Sequence, residues 1–265
     1  MWCLWYNQPI MLSGKKVVAF DLDGTLAGSK LPLMPEMARL LCGLASKVKV
    51  IIISGGSFSQ FKNQVLPGLV AAAPKSGGIL GNIILMPTCG SQCFDYGETS
   101  GGWELSYLEP FPEKLKIRVL AALNEVISSG RHDIPEKVYG DHIEDRQTQI
   151  TLSALGQRAP IEEKAIWDPD SLKRQKIKEE LELKVPEVQI LIGGTTSVDI
   201  LPKGFDKATG LKKFLKKVDL QISDMLFVGD AVFPGGNDYS PLEAGIESIK
   251  ISDPEETARL IESWF

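Results

Sequence analysis

Two carboxylates two residues apart follow a short apolar run near the start of the chain. Asp21 and Asp23 belong to the segment Asp-Leu-Asp-Gly-Thr, residues 21–25. On an extended chain, side chains two residues apart point to the same face, so both carboxylates can act on one ligand. Carboxylate oxygens suit Mg²⁺, and a carboxylate can also attack an electrophile or carry a proton. The same residues are typical of an Asx-turn in a solvated loop, but the apolar run before them favours a functional site.

Three other polar segments could serve the same chemistry. The segment 54–57, Ser-Gly-Gly-Ser, offers a hydroxyl and backbone N–H groups that a phosphate can approach, although a plain turn is equally compatible with it. Lys207 lies in the first turn of a predicted helix, where the helix dipole disfavours a cation unless it serves an anion; a solvated lysine is the alternative. The segment 229–238 begins with Gly-Asp and ends with Asn-Asp, which predicts a second acidic loop for one cation.

These segments adjoin predicted elements of an α/β fold. Continuous apolar runs at Lys16–Phe20, Val48–Ile53 and Asp224–Val228 predict strands that are buried on both faces, as in a parallel sheet. A helix that begins at Pro35 separates the first two strands, which makes a right-handed βαβ unit. Ligands of such sheets bind beyond the carboxyl ends of the strands, where the polar segments lie. We therefore expect the segments to converge on one site.

The middle of the chain has a different pattern. The alternation in Gln147–Ser153 is typical of an antiparallel strand with one solvated face, and helical stretches are predicted at Pro112–Ser128 and Asp170–Leu183. This change indicates an inserted α+β domain. The α/β pattern returns with a predicted helix at Asp206–Val218, and the chain closes with a helix from Pro241, a strand near Ser248–Ile251 and a helix from Pro254. We predict a core formed by residues 1–87 and 202–265, with 1–15 as an N-terminal extension, and a cap formed by residues 88–201.

Charge and composition restrict the partners. The formal net charge is −5, which argues against non-specific nucleic-acid binding but allows a small anionic substrate in a local basic pocket. The apolar segment 1–12 lacks a basic region and is too short to span a bilayer, and no other segment approaches that length. Cys3, Cys42, Cys89 and Cys93 show no metal-binding spacing, so we expect free thiols. We therefore expect a cytoplasmic protein without nucleic-acid or membrane partners.

The four polar segments together resemble the motifs of the haloacid dehalogenase superfamily. The mixed cap resembles that of its Cof-like subgroup with a type-IIB cap. More closely, the stretches 193–207 and 234–238 are similar to the eukaryotic-type phosphomannomutases. The resemblance covers nearly the whole chain from Lys16 onward. It implies a Rossmann-like parallel-sheet core with an inserted α+β cap, a Mg²⁺ cofactor, a phosphorylated sugar as substrate and a homodimer formed through the cap.

The resemblance also assigns roles to residues. Asp21 is the nucleophile and a metal ligand, and Asp23 is the general acid/base that also lends its backbone carbonyl to the metal. Ser54 holds the phosphoryl group, and Lys207 neutralises it and steadies Asp21. The remaining metal ligands are Asp230, Asn237 and Asp238. The expected substrate-binding residues are Gly55, Gly56, Arg146, Arg158, Ser197 and Asp199.

The cap departs from the phosphomannomutase pattern. In that family, cap arginines hold the substrate's non-reacting phosphate, and Arg146 matches the first of them. The next arginine position is Gln157, with Arg158 one place later, and a further position is Lys164. Neither a lysine nor a displaced arginine is equivalent to a bidentate arginine, and Arg146 and Arg158 are equally compatible with surface charges. We therefore expect a sugar phosphatase first, a hexose-phosphate mutase that interconverts mannose 6-phosphate and mannose 1-phosphate second, and an inactive sugar-phosphate-binding module last.

Overall fold

A computed structural model of the chain describes residues 12–73, 78–136, 138–193 and 195–265, so most of the predicted N-terminal extension, with Cys3, lies outside the described residues. The strands in these ranges are β1 Val17–Asp21, β2 Lys49–Ile53, β3 Ile83–Met86, β4 Gln92–Gly97, β5 Gly102–Leu108, β6 Ile143–Asp145, β7 Ile150–Ser153, β8 Val188–Gly193, β9 Ser197–Pro202, β10 Met225–Gly229 and β11 Glu247–Lys250. The helices are α1 Pro35–Ala45, α2 Phe58–Gln64, α3 Leu66–Ala72, α4 Glu113–Ser128, α5 Ile161–Trp167, α6 Leu172–Lys184, α7 Lys207–Lys217, α8 Tyr239–Glu243 and α9 Pro254–Glu262.

The larger sheet has seven strands among the described residues, in the order β11-β10-β1-β2-β3-β4-β5. The five strands from β11 to β3 are parallel, and every residue of β1 is buried. Helices α1 and α9 pack on one face around Phe20 and Leu41, and α7 packs on the other face around Phe214. A strand covered on both faces needs apolar residues on both, which explains the continuous runs in the sequence.

The smaller sheet is antiparallel, with the strand order β6-β7-β9-β8 in the described part of the chain. One face packs on α4 and α6 through Leu123, Ile177 and Leu181. This layer of helices and antiparallel strands is the predicted α+β cap. The fold class, a Rossmann-like α/β core with a cap, is therefore confirmed.

The position of one hairpin differs from the sequence prediction. Strands β4 and β5 pair antiparallel at the edge of the larger sheet, whereas the predicted cap begins at residue 88. An antiparallel edge hairpin has the same alternating pattern as a strand of an α+β domain, so the pattern could not assign it to either sheet. The helices and strands of the cap begin at Glu113 in the structure. The division of the chain into domains stays a prediction.

The strand predicted at Gln147–Ser153 is shorter in the structure. It begins at Ile150, because Arg146 N–H donates to the carbonyl of Gln149 and closes a turn between β6 and β7. Gln147 has a left-handed φ of 70° in this turn. Among the described residues, no helix is both long and apolar enough to cross a membrane.

Candidate active site

Adjacent strand ends bring three carboxylates together. β1 ends at Asp21, and β10, its parallel neighbour, ends one residue before Asp230. Carboxylate oxygens of Asp21, Asp230 and Asp238 all lie within 4.8 Å of one another. The structure therefore brings the first and last acidic segments to one place, as the strand order requires.

Lys207 is the cation at the centre of this cluster. It is the first residue of α7, whose N-cap Asp206 accepts a hydrogen bond from the backbone N–H of Thr209. The Lys207 side chain is fully buried, and its Nζ donates to carboxylates of Asp21 and Asp238. Burial by itself lowers the pKa of Lys207, but the attraction of Asp21 and Asp238 outweighs it and the pKa is raised. Lys207 is therefore a fixed positive charge beneath the site.

The charge balance at Asp21 favours a further cation. Burial raises the pKa of Asp21, the nearby Asp238 and Asp230 add to this effect, and Lys207 opposes it. The pKa of Asp230 is raised as well, by burial and then by Asp238. One lysine does not neutralise three clustered carboxylates, so a divalent ion at their oxygens would stabilise them.

The donor set fits a hard metal ion, although the three acids are not equivalent. The oxygens of Asp238 accept from Lys207 and from the backbone N–H of Ala231, so Asp238 is an anchor for the lysine. Asp230 is held by Thr25, whose hydroxyl accepts from the Asp230 backbone N–H at 3.1 Å. Asp21 and Asp230 line the cavity, whereas Asp238 does not, so these two are the carboxylates placed to hold Mg²⁺, which prefers one or two carboxylates and keeps several waters.

The loop after β2 lies beside the acids. Ser54 is 3% exposed, and its Oγ accepts from the backbone N–H of Gly56 at 3.0 Å. A Cβ on Gly55 would lie 2.9 Å from Asp199 Oδ2, so a side chain at this position would displace the Asp199 carboxylate that β9 of the cap brings to this loop. The loop is thus shaped for close contact, as the two glycines predicted.

Two residues of the β6–β7 turn connect the cap to this loop. Arg146 Nη1 and Gln149 Nε2 donate to the carbonyl of Gly55, at 2.8 and 3.0 Å. Arg146 also donates to Glu144, with its Nε 2.8 Å from Oε2, and lies 3.9 Å from Asp199. Burial raises the pKa of Asp199, and Arg146 opposes this rise.

Two cavities adjoin at the interface of core and cap. The first, of about 350 Å³, lies over the acids, and the second, of about 390 Å³, lies between α2 and the cap. Lys30, Gln60 and Arg146 line both of them. Gln157, the uncharged residue in the family's arginine position, lines the second cavity.

Most of the predicted site residues lie at the first cavity. Those that line it are Asp21, Asp23, Ser54, Gly55, Gly56, Arg146, Ser197, Asp199, Asp230 and Asn237. Lys207 and Asp238 lie buried directly beneath Asp21.

Arg158 does not belong to either cavity. It is exposed, and its aliphatic part lies about 4 Å from where a Cβ on Gly140 would be. Gly156, with φ of 80°, turns the chain before it, and the Arg158 N–H donates to Tyr139. This turn presents Gln157 to the second cavity and directs Arg158 elsewhere.

Sequence reasoning missed four polar residues of the site: Lys30, Gln60, Gln64 and Gln149. Lys30 lies in the loop after Asp23, and its backbone N–H donates to Asp23 Oδ1 at 2.7 Å. Gln60 and Gln64 are four residues apart, which on a helix places them on one face. That spacing was the available signal, but it becomes informative only when the helix is known to face Asp23.

The comparisons with known proteins agree with this geometry. The family model of eukaryotic phosphomannomutase matches residues 117–265. The chain belongs to the eukaryotic phosphomannomutase family.

Relatives across this family are similar over nearly their whole length. The "Probable phosphomannomutase" of Caenorhabditis elegans is 27% identical, with 95% of this chain and 96% of the relative covered. The phosphomannomutase of Saccharomyces cerevisiae is 26% identical, with 94% of each chain covered. As a member of the phosphomannomutase family, the chain is a phosphoryl-transfer enzyme of the haloacid dehalogenase superfamily.

Solved structures support the fold. A haloacid dehalogenase-like hydrolase from Bacteroides thetaiotaomicron superposes with a TM-score of 0.63 at 16% identity, covering 95% of this chain and 100% of that one. An N-terminally truncated IMP-nucleotidase from Plasmodium falciparum superposes with a TM-score of 0.71 at 16% identity, covering 96% of this chain and 71% of that one. The phosphomannomutase family thus shares the core-and-cap architecture with these hydrolases.

Proposed function

We propose that this enzyme is a hexose-phosphate mutase, which moves a phosphoryl group between two positions of a phosphorylated sugar such as mannose phosphate. The observation that carries the proposal is the pair of adjoining cavities. Asp21 lines one and Gln157 of the cap lines the other, and Lys30 and Arg146 line both. A bisphosphorylated sugar needs space for a phosphate at each end. The names of the relatives favour the same reaction.

A buried lysine supports an anion site beneath the cap. Lys164 is 7% exposed, and its Nζ donates to the carbonyl of Gln157 at 2.9 Å. Burial lowers its pKa, and the charge of Lys30 lowers it further. In the described ranges, no carboxylate forms an ion pair with Lys164. A phosphate near Lys30 and Lys164 would relieve this repulsion.

The proposed reaction has two displacements. In the first, an oxygen of Asp21 attacks the phosphorus of one phosphate of a bisphosphorylated sugar, the bond from phosphorus to the sugar oxygen breaks, and Asp23 gives its proton to that oxygen as the sugar monophosphate leaves. In the second, the free hydroxyl of a sugar monophosphate that carries its phosphate at the other position attacks the phosphoryl group on Asp21, which restores the bisphosphorylated sugar. Asp23 takes the proton of that hydroxyl, and the carboxylate of Asp21 is restored.

Other residues assist both displacements. Lys207 and the Ser54 loop are placed to hold the phosphoryl oxygens, and Ser197 and Asp199 are placed to bind sugar hydroxyls. Mg²⁺ held by Asp21 and Asp230, with Asn237 and the Asp23 carbonyl nearby, would supply positive charge to the transferring oxygens. The cap-mediated homodimer and the cytoplasmic location stay predictions.

Gln157 favours a second candidate function, net hydrolysis. An amide holds a phosphate less tightly than an arginine, because it lacks the charge and the bidentate geometry. A weakly held sugar monophosphate would leave while Asp21 still carries the phosphoryl group, and water would then attack phosphorus in its place and release inorganic phosphate. This is the sugar phosphatase expected from the sequence.

One assay separates the two functions. The pure protein with magnesium is given mannose 1-phosphate, with and without a hexose bisphosphate activator, and isomer and free phosphate are measured separately. We expect a ratio of isomer to phosphate above one. Gln157→Arg should raise the ratio, since a charge-assisted contact contributes about 1.5–3 kcal/mol. Arg146→Ala should lower it. A wild-type ratio well below one would make the enzyme a phosphatase.

A further inference from the structure

We infer that Gln60 and Gln64 are positioning residues that hold the Asp23 carboxylate for proton transfer. This inference rests on the proposed role of Asp23. Gln60 Nε2 donates to Asp23 Oδ2 at 2.9 Å, and Gln64 Nε2 donates to Asp23 Oδ1 at 3.0 Å. Both oxygens of one catalytic carboxylate are therefore held by a single helix, α2.

The number of donors leaves one position for the substrate. With the backbone N–H of Lys30 on Oδ1, three donors occupy the Asp23 carboxylate. An ionised carboxylate offers about four acceptor positions. About one position is left, and a sugar hydroxyl would fill it. The clamp thus fixes the carboxylate without blocking it.

The two amides orient each other. Gln60 Nε2 also donates to Gln64 Oε1 at 2.9 Å, so the amide nitrogen of Gln64 must face Asp23. If the Gln64 amide were reversed, its oxygen would face Asp23 Oδ1, which is also an acceptor, and its nitrogen would face Gln60 Nε2, which is also a donor. Gln64 is 4% exposed, so its rotamer is fixed by packing. The i, i+4 spacing on α2 makes this mutual contact available.

The loop after β2, residues 54–57, is the proposed phosphate loop, and its backbone leaves room for Gln60. A Cβ on Gly56 would collide with the amide of Gln60, so glycine at this position lets the glutamine lie against the loop. α2 begins directly after the loop, with Ser57 as its N-cap. The segment 54–64 therefore contains both the phosphate loop and the two glutamines that hold the Asp23 carboxylate. The position of the loop and the position of this carboxylate thus depend on each other.

The test uses Gln60→Met and Gln64→Met, which keep the side-chain length and remove the amide donors to Asp23. Lys62→Gln is the control, because Lys62 lies on the exposed face of α2. For a sugar phosphate, each glutamine variant should lower kcat about 10- to 100-fold, part of the 10²–10⁴ that general acid–base catalysis contributes. KM should change little. The burst of p-nitrophenolate from p-nitrophenyl phosphate should keep its rate, because that leaving group needs no proton.

A double-variant comparison shows whether the glutamines act through Asp23. In the Asp23→Asn background, Gln64→Met should cause little further loss, because residues that act as a unit are non-additive. The inference would be overturned if Gln64→Met lowered kcat by the same factor in both backgrounds. It would also be overturned if both single variants kept the wild-type kcat, or if they slowed the p-nitrophenolate burst and the turnover of the sugar phosphate equally. If Gln64→Met does not fold, the half-exposed Gln60→Met carries the test. A wild-type enzyme that transfers no phosphoryl group would instead refute the proposed function.

Discussion

Asp21 occupies the last position of β1, where it pairs with Ile53 of β2 and its side chain meets Lys207. Asp21→Asn keeps the shape of the side chain, so we expect the fold to survive. Activity should fall by at least about 10³-fold, because the amide cannot form the acyl phosphate. Intact-protein mass spectrometry after an acid quench should show the phosphorylated wild type and no phosphorylated variant. Retention of more than a few per cent of the rate would contradict the assignment.

Asp230 and Asp238 are both clustered with Asp21, but their contacts predict different effects. Asp230→Ala removes a proposed ligand that lies at the cavity wall, so the magnesium concentration for half-maximal rate should rise steeply. Asp238→Ala removes an anchor of the buried Lys207, so activity and stability should be low even at saturating magnesium. Titration of the rate with magnesium separates the two variants. Unchanged metal dependence in Asp230→Ala would exclude Asp230 as a ligand.

A buried hydroxyl cluster joins the segment after β3 to the β6–β7 turn. Ser91 Oγ donates to Thr148 Oγ1 at 2.7 Å, and Thr148 Oγ1 donates to Thr88 Oγ1 at 2.8 Å. Thr88 and Cys89 have left-handed φ angles of 50° and 55°, which cost free energy in residues other than glycine. The hydrogen bonds of the cluster offset this cost and hold the segment beside the site.

Thr148→Val should therefore lower the free energy of unfolding by about 1–3 kcal/mol, because it removes the buried hydroxyl that bonds Ser91, Gln92 and Thr88 while the volume is kept. Urea unfolding at neutral pH gives the value. Thr99→Val is the matched control: Thr99 is exposed in the turn between β4 and β5, so its substitution should change little. Equal stability of the two variants would show that the cluster contributes nothing.

The strands that carry the site were predictable, and the parts that depend on three-dimensional contact were not. β1, β2 and β10 are buried on both faces, so their apolar runs identify them and place Asp21, Ser54 and Asp230 at their ends. The hairpin of β4 and β5 was misplaced because an edge strand and a cap strand have the same alternation. Gln60 and Gln64 were missed because they contact Asp23 only when α2 packs against the loop after β1, and the sequence does not show this packing.

The two sheets meet where Arg146 and Gln149 of the cap donate to the Gly55 carbonyl of the core. The site is completed by both parts, since Asp21 comes from the larger sheet and Asp199 from the smaller one. The folded larger sheet therefore supplies the strand ends that place Asp21 and Asp230, so activity depends on its stability.

A buried thiol makes this stability depend on pH. Cys93 in β4 is fully buried, and burial, with a smaller effect of Asp95, raises its pKa from about 9 to about 12. Between these pH values the unfolded chain loses the thiol proton while the native state keeps it. Because the native state then binds more protons, the free energy of unfolding falls as pH rises, by up to about 1.4 kcal/mol per pH unit for this thiol.

The prediction is a difference between two proteins, since other groups also titrate in alkali. Urea unfolding of the wild type and of Cys93→Ala is measured at several values from about pH 8 upward. At pH 8 the variant should have a lower free energy of unfolding than the wild type, because alanine leaves a small cavity in the sheet. Above pH 9 the wild type should lose stability faster, so the two curves converge. Parallel curves would mean that the Cys93 thiol ionises equally in the native and unfolded chains, which its complete burial between β3 and β5 argues against.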